Sequence, residues 1–527
     1  MSAIKNILFI MADQLRWDYL SCYGHPHLQT PHIDALARRG VQFDRAFVQS
    51  PVCGPSRAST YTGRTVFSHG ATWNNVPLPV GELTIGDYLQ PHGIRTAVVG
   101  KTHLVADAEG LTRLGAKADS ATGAALFEPG FEPYERDDGL HPTASLRRHG
   151  KGLRYNDWLR DKGYDGENPW SDWANAAQGP EGEILSGWDL RHSNLPARVA
   201  EDHSETAYMT DRAMKFITES GDTPWLCHLS FIKPHWPYIA PAPYHALYGP
   251  DSFVPIKRKP GEWDSAHPVQ RAFMDSDVSQ TFSRDGVRET VLAGYMGLIK
   301  QIDDHLGRLF AFLAASGRSD DTMIVFTSDH GDDMGDHWMG EKELFHDVSV
   351  RVPLIIMDPR PEADATRGTR SAAMVEAIDL LPTFLEAKGL PIPAHRLEGR
   401  SLMPLLHGAT PDDWRTAVLS EIDYAAYHAG RVLDIAPDRA RGYMIRTERW
   451  KYVHFRDFRA QLFNLDADPD EFHDLGDDPA HASVRRDMEA LLMDRLLNRK
   501  NRVTISDEGI GAMGQGFAKA GIKIGTW

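Results

Sequence analysis

Four apolar runs of the sequence each end abruptly in polar residues, and this pattern constrains the fold more than any other feature. The runs and the polar residues that follow them are 7–12 before Asp13-Gln14, 96–100 before Lys101-Thr102-His103, 225–232 before Lys233-Pro234-His235, and 323–328 before Asp329-His330-Gly331. Continuous apolar strands are typical of a parallel sheet that is buried on both faces. Such sheets bind ligands beyond the carboxyl ends of their strands. The pattern therefore predicts one site assembled from distant parts of the chain.

Helices are predicted between these strands. Helical spacing of apolar residues runs over 204–220, from a Ser204 N-cap to Gly221, and over 288–316, where Gly317 ends it. Strands that alternate with helices favour an α/β sandwich with a mostly parallel central sheet, which we assign to a domain over 1–409. Short strands with tight turns and a helix over 481–499 then predict a smaller antiparallel sheet plus helix over 410–502.

Two segments show no clear periodicity. Residues 105–190 are rich in Gly, Asp and Trp, and we expect them to form insertion loops over the site, where substrate choice usually resides. Residues 503–527 are rich in glycine. They are either a frayed tail or an arm that packs on a neighbouring subunit of a dimer or tetramer.

Composition excludes several classes of protein. The 527 residues carry a net charge of −16, which disfavours a nucleic-acid or anionic-membrane partner. Three scattered cysteines (Cys22, Cys53 and Cys227) are too few for a disulfide framework and fit a reducing compartment. The first residues lack the features of a leader peptide, and no run of eighteen apolar residues occurs. These observations predict a cytoplasmic protein with no membrane segment.

Cys53 opens the stretch of sequence that carries most chemical information. The segment Cys53-Gly54-Pro55-Ser56-Arg57 continues to Gly63-Arg64. Pro55 suits the first position of a helix and Gly63 suits its C-terminal cap, so a helix is predicted over 55–62 with Cys53 just before its N-terminus. Free backbone N–H groups at a helix N-terminus favour a tetrahedral anion, and Arg57 lies one turn further on.

This segment resembles the signature of the type I sulfatases, a family of the alkaline phosphatase superfamily. The signature reads Cys-x-Pro-Ser-Arg followed by a Gly further on, and here Cys53, Pro55, Ser56 and Arg57 fit it, with Gly63 after the five residues 58–62. The segment 462–471 is similar to the C-terminal signature of sulfatases. The resemblance implies an alkaline-phosphatase-like fold. It also implies that a formylglycine-generating enzyme oxidises Cys53 to formylglycine, whose hydrated aldehyde acts as the nucleophile.

The resemblance implies one divalent metal ion. Asp13 and Asp329 are its strongest candidate ligands, because hard oxygen ligands suit a hard dication. The full predicted set is Asp13, Gln14, Cys53, Asp329 and His330. Many sulfatases carry Asp and Asn where this chain has Gln14 and His330, whereas the related phosphonate monoester hydrolases carry Gln and His. Manganese or calcium is expected, and the nitrogen ligand favours manganese.

The resemblance also implies a set of residues around the transferred group. Arg57, Lys101 and Lys342 stabilise charge on its oxygens, His103 accepts the proton that lets sulfate leave, and His235 with Lys342 protonates the leaving oxygen. Asn74 is a further candidate for substrate binding, with a turn role as the alternative. Lys233 is expected to be structural, and Asp332, Asp333 and Asp336 are expected to be loop or cap carboxylates.

The predicted function is hydrolysis of small aryl or alkyl sulfate esters through a sulfate hemiacetal. A phosphonate monoester or phosphodiester hydrolase with sulfatase activity is the alternative. Gln14 and His330 favour this alternative, whereas Lys101-Thr102-His103 disfavours it, because the phosphonate group tends to carry Tyr and Thr there. A choline sulfatase is another possibility inside the family. If Cys53 stays a thiol, the chain is instead a metal-dependent oxyanion-binding protein.

Overall fold

The computed structural model of the protein describes residues 4–117, 128–139, 153–513 and 516–523, with the single residues 120, 123, 126, 525 and 527. The strands are β1 (Asn6–Asp13), β2 (Val41–Phe47), β3 (Arg95–Gly100), β4 (Glu132–Arg136), β5 (Ala176–Gln178), β6 (Ile184–Ser186), β7 (Trp225–Pro234), β8 (Thr322–Ser328), β9 (Arg351–Met357), β10 (Thr369–Glu376), β11 (Val418–Asp423), β12 (Arg441–Arg446), β13 (Trp450–Phe455) and β14 (Gln461–Asn464).

The described α-helices are Pro31–Arg39, Cys53–Thr62, Val66–His69, Ile85–Leu89, Ala108–Arg113, Arg154–Asp161, Glu205–Ser220, Glu262–Ser265, Pro268–Met274, Asp277–Phe282, Val287–Ala315, Asp347–Val350, Leu380–Ala387, Met403–Leu406, His428–Val432, Ala482–Leu497, Asp507–Met513 and Gly516–Lys519. None of the helices in the described part of the chain has both the length and the apolar character that crossing a bilayer requires.

The central sheet has the strand order β10-β2-β9-β8-β1-β7-β3-β4. Only β9 runs antiparallel to its neighbours; the other paired strands are parallel. The four strands that the apolar runs predict are β1, β3, β7 and β8, and they are consecutive in the order β8-β1-β7-β3. Their carboxyl ends therefore lie along one edge, as the sequence predicts.

Each face of the sheet is covered by helices. Along β1, Leu8 and Ile10 pack in the hydrophobic cluster that includes the helices Glu205–Ser220 and Val287–Ala315. Ile7 and Phe9 point to the other face, where the helices Cys53–Thr62 and Leu380–Ala387 pack. Successive side chains of a strand alternate between faces, so a continuously apolar strand fits a sheet that is buried on both sides. This confirms the predicted α/β sandwich.

The smaller sheet is antiparallel, with the order β11-β12-β13-β14, as predicted. On one face, Leu419, Ile445 and Leu462 pack against Met488 and Leu492 of the helix Ala482–Leu497. Residues of the other face belong to the cluster that also contains Ile7 and Phe9 of the central sheet. The proposed division at residue 410 and the oligomerisation arm stay predictions.

Residues 105–190 contain more regular structure than the predicted insertion loops. Strand β4 adds an edge to the central sheet beside β3, and β5 pairs with β6 as a hairpin. The sequence of β4, Glu-Pro-Tyr-Glu-Arg, is short and mostly polar, which suits an edge strand but gives little periodic signal. Residues 140–152 of this predicted loop segment lie outside the described residues.

Glu421 of β11 joins the smaller sheet to the helix Val66–His69. Its carboxylate accepts a hydrogen bond from the Phe67 N–H at 3.0 Å. Burial, reinforced by Glu398, raises the pKa of Glu421 to about 8. The folded chain therefore keeps a proton here that the unfolded chain loses near pH 4.5. Stability that depends on this proton is lost as the pH rises towards about 8.

Glu421→Gln has no proton to lose at this position. We therefore expect the difference in thermal midpoint between this variant and wild type to grow by about 2–4 °C in favour of the variant when the pH is raised from 5 to 8. Thermal unfolding followed by circular dichroism at both pH values measures this gain. Glu289→Gln, on an exposed position of the helix Val287–Ala315, makes the same chemical change and should show no such gain. A parallel pH response of Glu421→Gln and wild type would contradict the assignment.

Candidate active site

The helix Cys53–Thr62 begins at the candidate nucleophile. Val52 has an extended backbone and caps the helix, so Cys53 occupies the first turn, and the predicted start at Pro55 is wrong by two residues. Pro55 is tolerated within the first turn because N–H groups there have no partner inside the helix. Gly63 ends the helix in the left-handed conformation, with φ of 65°, as predicted.

The fold brings Cys53 together with three residues from the ends of β1 and β8. Its Sγ lies 3.0 Å from Nε2 of His330 and 3.8 Å from Oδ1 of Asp13. The same imidazole nitrogen lies 3.7 Å from a carboxylate oxygen of Asp13 and 3.7 Å from one of Asp329. The candidate ligand atoms of all four side chains lie within 4.8 Å of one another, and all four residues are buried.

Arg57 holds the two carboxylates in place. Its Nε donates to Asp329 at 2.8 Å and its Nη2 donates to Asp13 at 3.0 Å. The remaining nitrogen, Nη1, donates to the Lys101 carbonyl and to Ser230 Oγ. Arg57 is fully buried, so the guanidinium exchanges its hydration for these hydrogen bonds. Its place is therefore between the carboxylates rather than in the open cavity.

The cluster fits a divalent metal ion. Two carboxylates and one imidazole are ordinary ligands for manganese and similar dications. Nδ1 of His330 lies 2.9 Å from the Gly331 carbonyl oxygen, which fixes a proton on Nδ1, so Nε2 is the nitrogen that would face a bound ion. Asp13, Asp329 and His330 would hold the ion, together with the group at position 53.

Gln14, the other predicted ligand, has its side-chain amide engaged elsewhere. Its Oε1 accepts a hydrogen bond from Lys342 at 2.8 Å, and its Nε2 donates to Tyr238 at 3.0 Å and to Asp332. Its backbone N–H donates to Asp329 at 3.0 Å, and its φ is 63°, in the left-handed region. Gln14 thus links the cluster to Lys342, and its ligation of the ion stays a prediction.

The electrostatics of the cluster favour the ionised forms. Burial alone would raise the pKa of Asp13, but Lys101, His235 and Arg57 hold it well below its usual value. Burial would likewise lower the pKa of Lys101, whereas Asp13, whose Oδ2 lies 2.6 Å from Nζ, raises it. Lys101 also lies 3.9 Å from Cys53 Sγ. A positively charged ammonium therefore stands beside Cys53.

The cavity above Cys53, of about 260 Å³, collects the predicted anion-binding residues. It is lined by Cys53, Asn74, Lys101, His103, His235 and Lys342, among others. Asn74 Oδ1 accepts the Gly54 N–H at 2.8 Å, so this side chain also holds the first turn of the nucleophile helix. A Cβ at position 54 would lie 2.8 Å from that oxygen, which explains the glycine. The roles predicted for these side chains stay predictions.

Lys342 and His235 form a hydrogen-bonded pair. Lys342 Nζ lies 3.2 Å from His235 Nε2, and His235 Nδ1 lies 2.7 Å from the Trp236 carbonyl oxygen. The carbonyl can only accept, so His235 is protonated on Nδ1 and its Nε2 accepts from Lys342. Burial and the Lys342 ammonium lower the pKa of His235 well below its usual value. The mobile proton of the pair therefore resides on Lys342.

The residues that the sequence assigned to structural roles lie behind the cluster. Lys233 donates to Asn175 and to the Pro237 carbonyl, each at 2.6 Å. Asp332 accepts from Tyr238 at 2.9 Å, and Asp336 accepts from Arg16 at 2.9 Å. Asp333 lies within 3.3 Å of both Ser349 and His346, and none of these three carboxylates joins the ligand group.

Sequence reasoning missed most of the aromatic wall of the cavity. Trp73, Trp170, Trp188, Trp236 and Tyr427 all line it. Trp17 and Trp338 lie elsewhere: Trp17 packs under Arg351, and Trp338 packs against Trp263. Trp170 and Trp188 come from the segment 105–190, and only its high tryptophan content hinted at them.

The comparisons with known proteins agree on the family to which the chain is similar. The sequence matches the Sulfatase family over residues 5–390 and the family N-sulphoglucosamine sulphohydrolase, C-terminal, over residues 335–498. It is 33% identical over 512 residues to the multifunctional alkaline phosphatase superfamily protein PehA of Trinickia caryophylli, covering 92% of this chain and 93% of that protein. It is 27% identical to an N-acetylglucosamine-6-O-sulfatase of Bacteroides thetaiotaomicron, covering 92% and 85%.

Among solved structures, the phosphonate monoester hydrolase of Silicibacter pomeroyi superposes with a TM-score of 0.82 at 28% identity, covering 96% of this chain and 98% of that one. The fold and the comparisons together define a hydrolase that acts on esters of a tetrahedral oxyanion. The chain belongs to the sulfatase family of the alkaline phosphatase superfamily, and by class it is a sulfuric ester hydrolase.

The ligand cluster predicts how metal content responds to substitution. We expect Asp13→Asn and Asp329→Asn to reduce bound metal per chain at least about tenfold, because each removes a charged ligand. Inductively coupled plasma mass spectrometry of the purified proteins measures the metal. Asp358→Asn changes a buried carboxylate that pairs with Arg360 outside the cluster and should keep the wild-type metal content. Equal metal in all three variants would exclude this cluster as the site.

Proposed function

We propose that this protein hydrolyses small sulfate esters with a formylglycine formed from Cys53 and one divalent metal ion. The observation that carries the proposal is the position of Cys53, which lies within 4 Å of Asp13, Lys101 and His330 at the floor of the cavity. When bound, the metal ion supplies Lewis-acid stabilisation of an ester oxygen and orients the nucleophile. A hydrated aldehyde supplies one hydroxyl for attack on sulfur and a second whose deprotonation permits release of sulfate.

The cavity side chains suit the charge of a sulfate group. Lys101 and Lys342 are buried, positively charged donors on its lining, and the proposed nucleophile stands in the first turn of a helix. Preorganised donors of this kind stabilise the oxygens on which charge develops during transfer. Arg57 acts through Asp13 and Asp329, whose carboxylates it orients, and is therefore a positioning residue.

His103 is placed to accept a proton. It lines the same cavity as Cys53, and its backbone N–H donates to Asp138 at 3.0 Å, which fixes the local loop in a left-handed conformation with φ of 53°. Burial and the neighbouring Lys101 lower the pKa of His103 well below its usual value. A neutral imidazole is the form that a general base requires.

The pair of Lys342 and His235 supplies the proton for the leaving oxygen. The imidazole accepts from the ammonium and so keeps it aimed into the cavity. Lys342 also donates to Gln14, whose backbone N–H is bonded to the candidate ligand Asp329. We propose that a proton passes from Lys342, directly or through His235, to the oxygen of the departing alcohol.

Phosphonate monoesters are the second candidate substrates. The phosphonate monoester hydrolase of Silicibacter pomeroyi, 28% identical to this chain, superposes with a TM-score of 0.82. A sulfate monoester and a phosphonate monoester both present a tetrahedral group with one negative charge, so the same donors can hold either. Lys101 and His103 favour the sulfate ester, and we propose that activity on phosphonate esters coexists with it.

The nucleophile can be tested by replacement with serine, which has only one hydroxyl. We expect Cys53→Ser to release about one equivalent of nitrophenol from nitrophenyl sulfate per chain and then to stall, because the sulfated serine has no second hydroxyl to expel sulfate. Rapid-mixing absorbance measures the burst. Cys22→Ser, at a cysteine outside the cavity, should keep full turnover.

Multiple turnover by Cys53→Ser at the wild-type rate would overturn the mechanism. A peptide mass spectrum over residues 53–57 of the wild-type protein complements this experiment. An aldehyde is lighter than the thiol and reacts with hydrazides, whereas an intact thiol in active protein would favour the alternative of an oxyanion-binding protein.

The preference between the two ester classes depends on Lys101 and His103. We expect wild type to have a higher kcat/KM for nitrophenyl sulfate than for nitrophenyl phenylphosphonate. The double variant Lys101→Tyr/His103→Thr carries the residues typical of the phosphonate group and should lower the sulfate value about a hundredfold more than the phosphonate value. Lys500→Tyr, on the segment after the helix Ala482–Leu497, serves as the control. An unchanged ratio in the double variant would exclude these two residues as the source of the preference.

A further inference from the structure

Gln14 forms a hydrogen bond with every polar group that it has. Its backbone N–H donates to Asp329 at 3.0 Å, its carbonyl accepts from the Tyr295 hydroxyl at 2.8 Å, and its side-chain amide makes three further hydrogen bonds. The residue is fully buried, and its φ of 63° lies in the left-handed region that residues other than glycine rarely adopt. A backbone of this kind persists only where the surrounding structure determines it.

The two ends of the Gln14 amide face different partners. Nε2 donates to the Asp332 carboxylate and, at 3.0 Å, to the Tyr238 hydroxyl. That hydroxyl donates in turn to Asp332 Oδ2 at 2.9 Å, and Asp332 Oδ1 accepts from the Met334 N–H at 2.8 Å. An ionised carboxylate can only accept, so Asp332 keeps the –NH2 end of the amide on its own side. The amide oxygen is thereby turned the other way, towards Lys342.

Lys342 is the partner of that oxygen. Its Nζ donates to Gln14 Oε1 at 2.8 Å and to His235 Nε2 at 3.2 Å, and the ring of Trp236 lies 5.7 Å away. An ammonium carries three N–H groups in a tetrahedral arrangement, so two occupied positions set the direction of the third. Lys342 is buried and lines the cavity above Cys53. The remaining N–H is then available to a group bound in that cavity.

We propose that Asp332 and Tyr238 are positioning residues for the proton donor of the reaction, and that they act through Gln14. The carboxylate holds the amide –NH2, the amide oxygen holds the Lys342 ammonium, and the ammonium serves the leaving oxygen. Lys342 is the only one of these four residues among those that line the cavity above Cys53 in the described part of the chain. This inference rests on the proposed function, in which Lys342 supplies the proton for the leaving oxygen.

Replacing the carboxylate by an amide should reverse this chain of hydrogen bonds. In Asp332→Asn the side-chain oxygen stays on the Met334 N–H, which is a fixed backbone donor, so the new –NH2 faces Gln14. Two –NH2 groups cannot bond to each other, and the Gln14 amide therefore turns over to offer its oxygen. Its own –NH2 then faces the Lys342 ammonium, which loses one of the two acceptors that orient it.

Two esters with different leaving groups measure whether the proton donor is in place. Nitrophenolate leaves without a proton more readily than phenolate, so phenyl sulfate depends more on Lys342 than nitrophenyl sulfate does. We expect Asp332→Asn, assayed per metal-loaded chain, to raise the ratio of kcat/KM for nitrophenyl sulfate to kcat/KM for phenyl sulfate at least about tenfold. Asp358→Asn makes the same change at a buried carboxylate outside the site and should keep the wild-type ratio. An equal loss on both esters in Asp332→Asn would overturn the inference.

A reciprocal exchange should restore the chain. In the double variant Gln14→Glu/Asp332→Asn, the new carboxylate at position 14 accepts from the new amide on one side and from Lys342 on the other. The total charge of the pair is unchanged. We expect the ratio to return to within about threefold of the wild-type value, because the two substitutions compensate each other. A double variant that keeps the ratio of Asp332→Asn would contradict the inference.

Thermal unfolding separates this inference from the proposed function, because it needs no turnover. We expect Asp332→Asn and Gln14→Glu each to unfold at a lower temperature than the double variant, measured by circular dichroism. That recovery would support the chain of hydrogen bonds even if the wild type hydrolysed neither ester, a result that would refute the function alone. A double variant that unfolds below both single variants would overturn the chain.

Tyr238→Phe provides a milder change that keeps the carboxylate and tests the same chain if Asp332→Asn does not fold. It removes one of the two acceptors of the Gln14 –NH2. We expect the ratio for the two esters to rise about threefold, in line with the loss of one hydrogen bond. An unchanged ratio in Tyr238→Phe would contradict the inference.

Discussion

The bridge from Arg57 to Asp13 and Asp329 is the interaction on which the active site depends. It joins the nucleophile helix to the ends of β1 and β8 through hydrogen bonds of 2.8 and 3.0 Å, with all three side chains fully buried. Removing one partner of a buried pair costs about 3–5 kcal/mol, because the remaining charge is left without compensation. The guanidinium thus lets two carboxylates stand side by side in the interior, where a metal ion can share them.

The remaining polar groups extend this bridge rather than form separate sites. Lys101 continues it to the cavity through Asp13, and Gln14 continues it to Lys342 through Asp329. At the floor of the cavity, Arg57 and Lys101 are therefore ion-paired to the cluster, and Lys342 is hydrogen-bonded to Gln14. Preorganised charges of this kind lose little energy on reorientation when charge develops on a transferred group.

The cavity above that floor has a different chemistry. Its clamp is built from strand ends and the nucleophile helix, whereas its walls come from segments such as 170–188 and from Tyr427 beside the smaller sheet. Under the proposed function, this division would let the strand-end residues hold a sulfate or phosphonate group while the walls contact the alcohol or phenol part of the ester.

The sequence by itself determined the parallel sheet, because strands buried on both faces must be continuously apolar, and it determined the short signature that surrounds Cys53. It also singled out Asp13, Lys101, His235 and Asp329 as candidates, since each lies at or just beyond the end of such a strand. Only the tertiary structure decided which charges pair, that His235 accepts a hydrogen bond from Lys342, and that Trp170, Trp188 and Glu341 face one cavity. Those contacts join residues from irregular segments, where no periodicity in the sequence records the neighbour that a side chain meets.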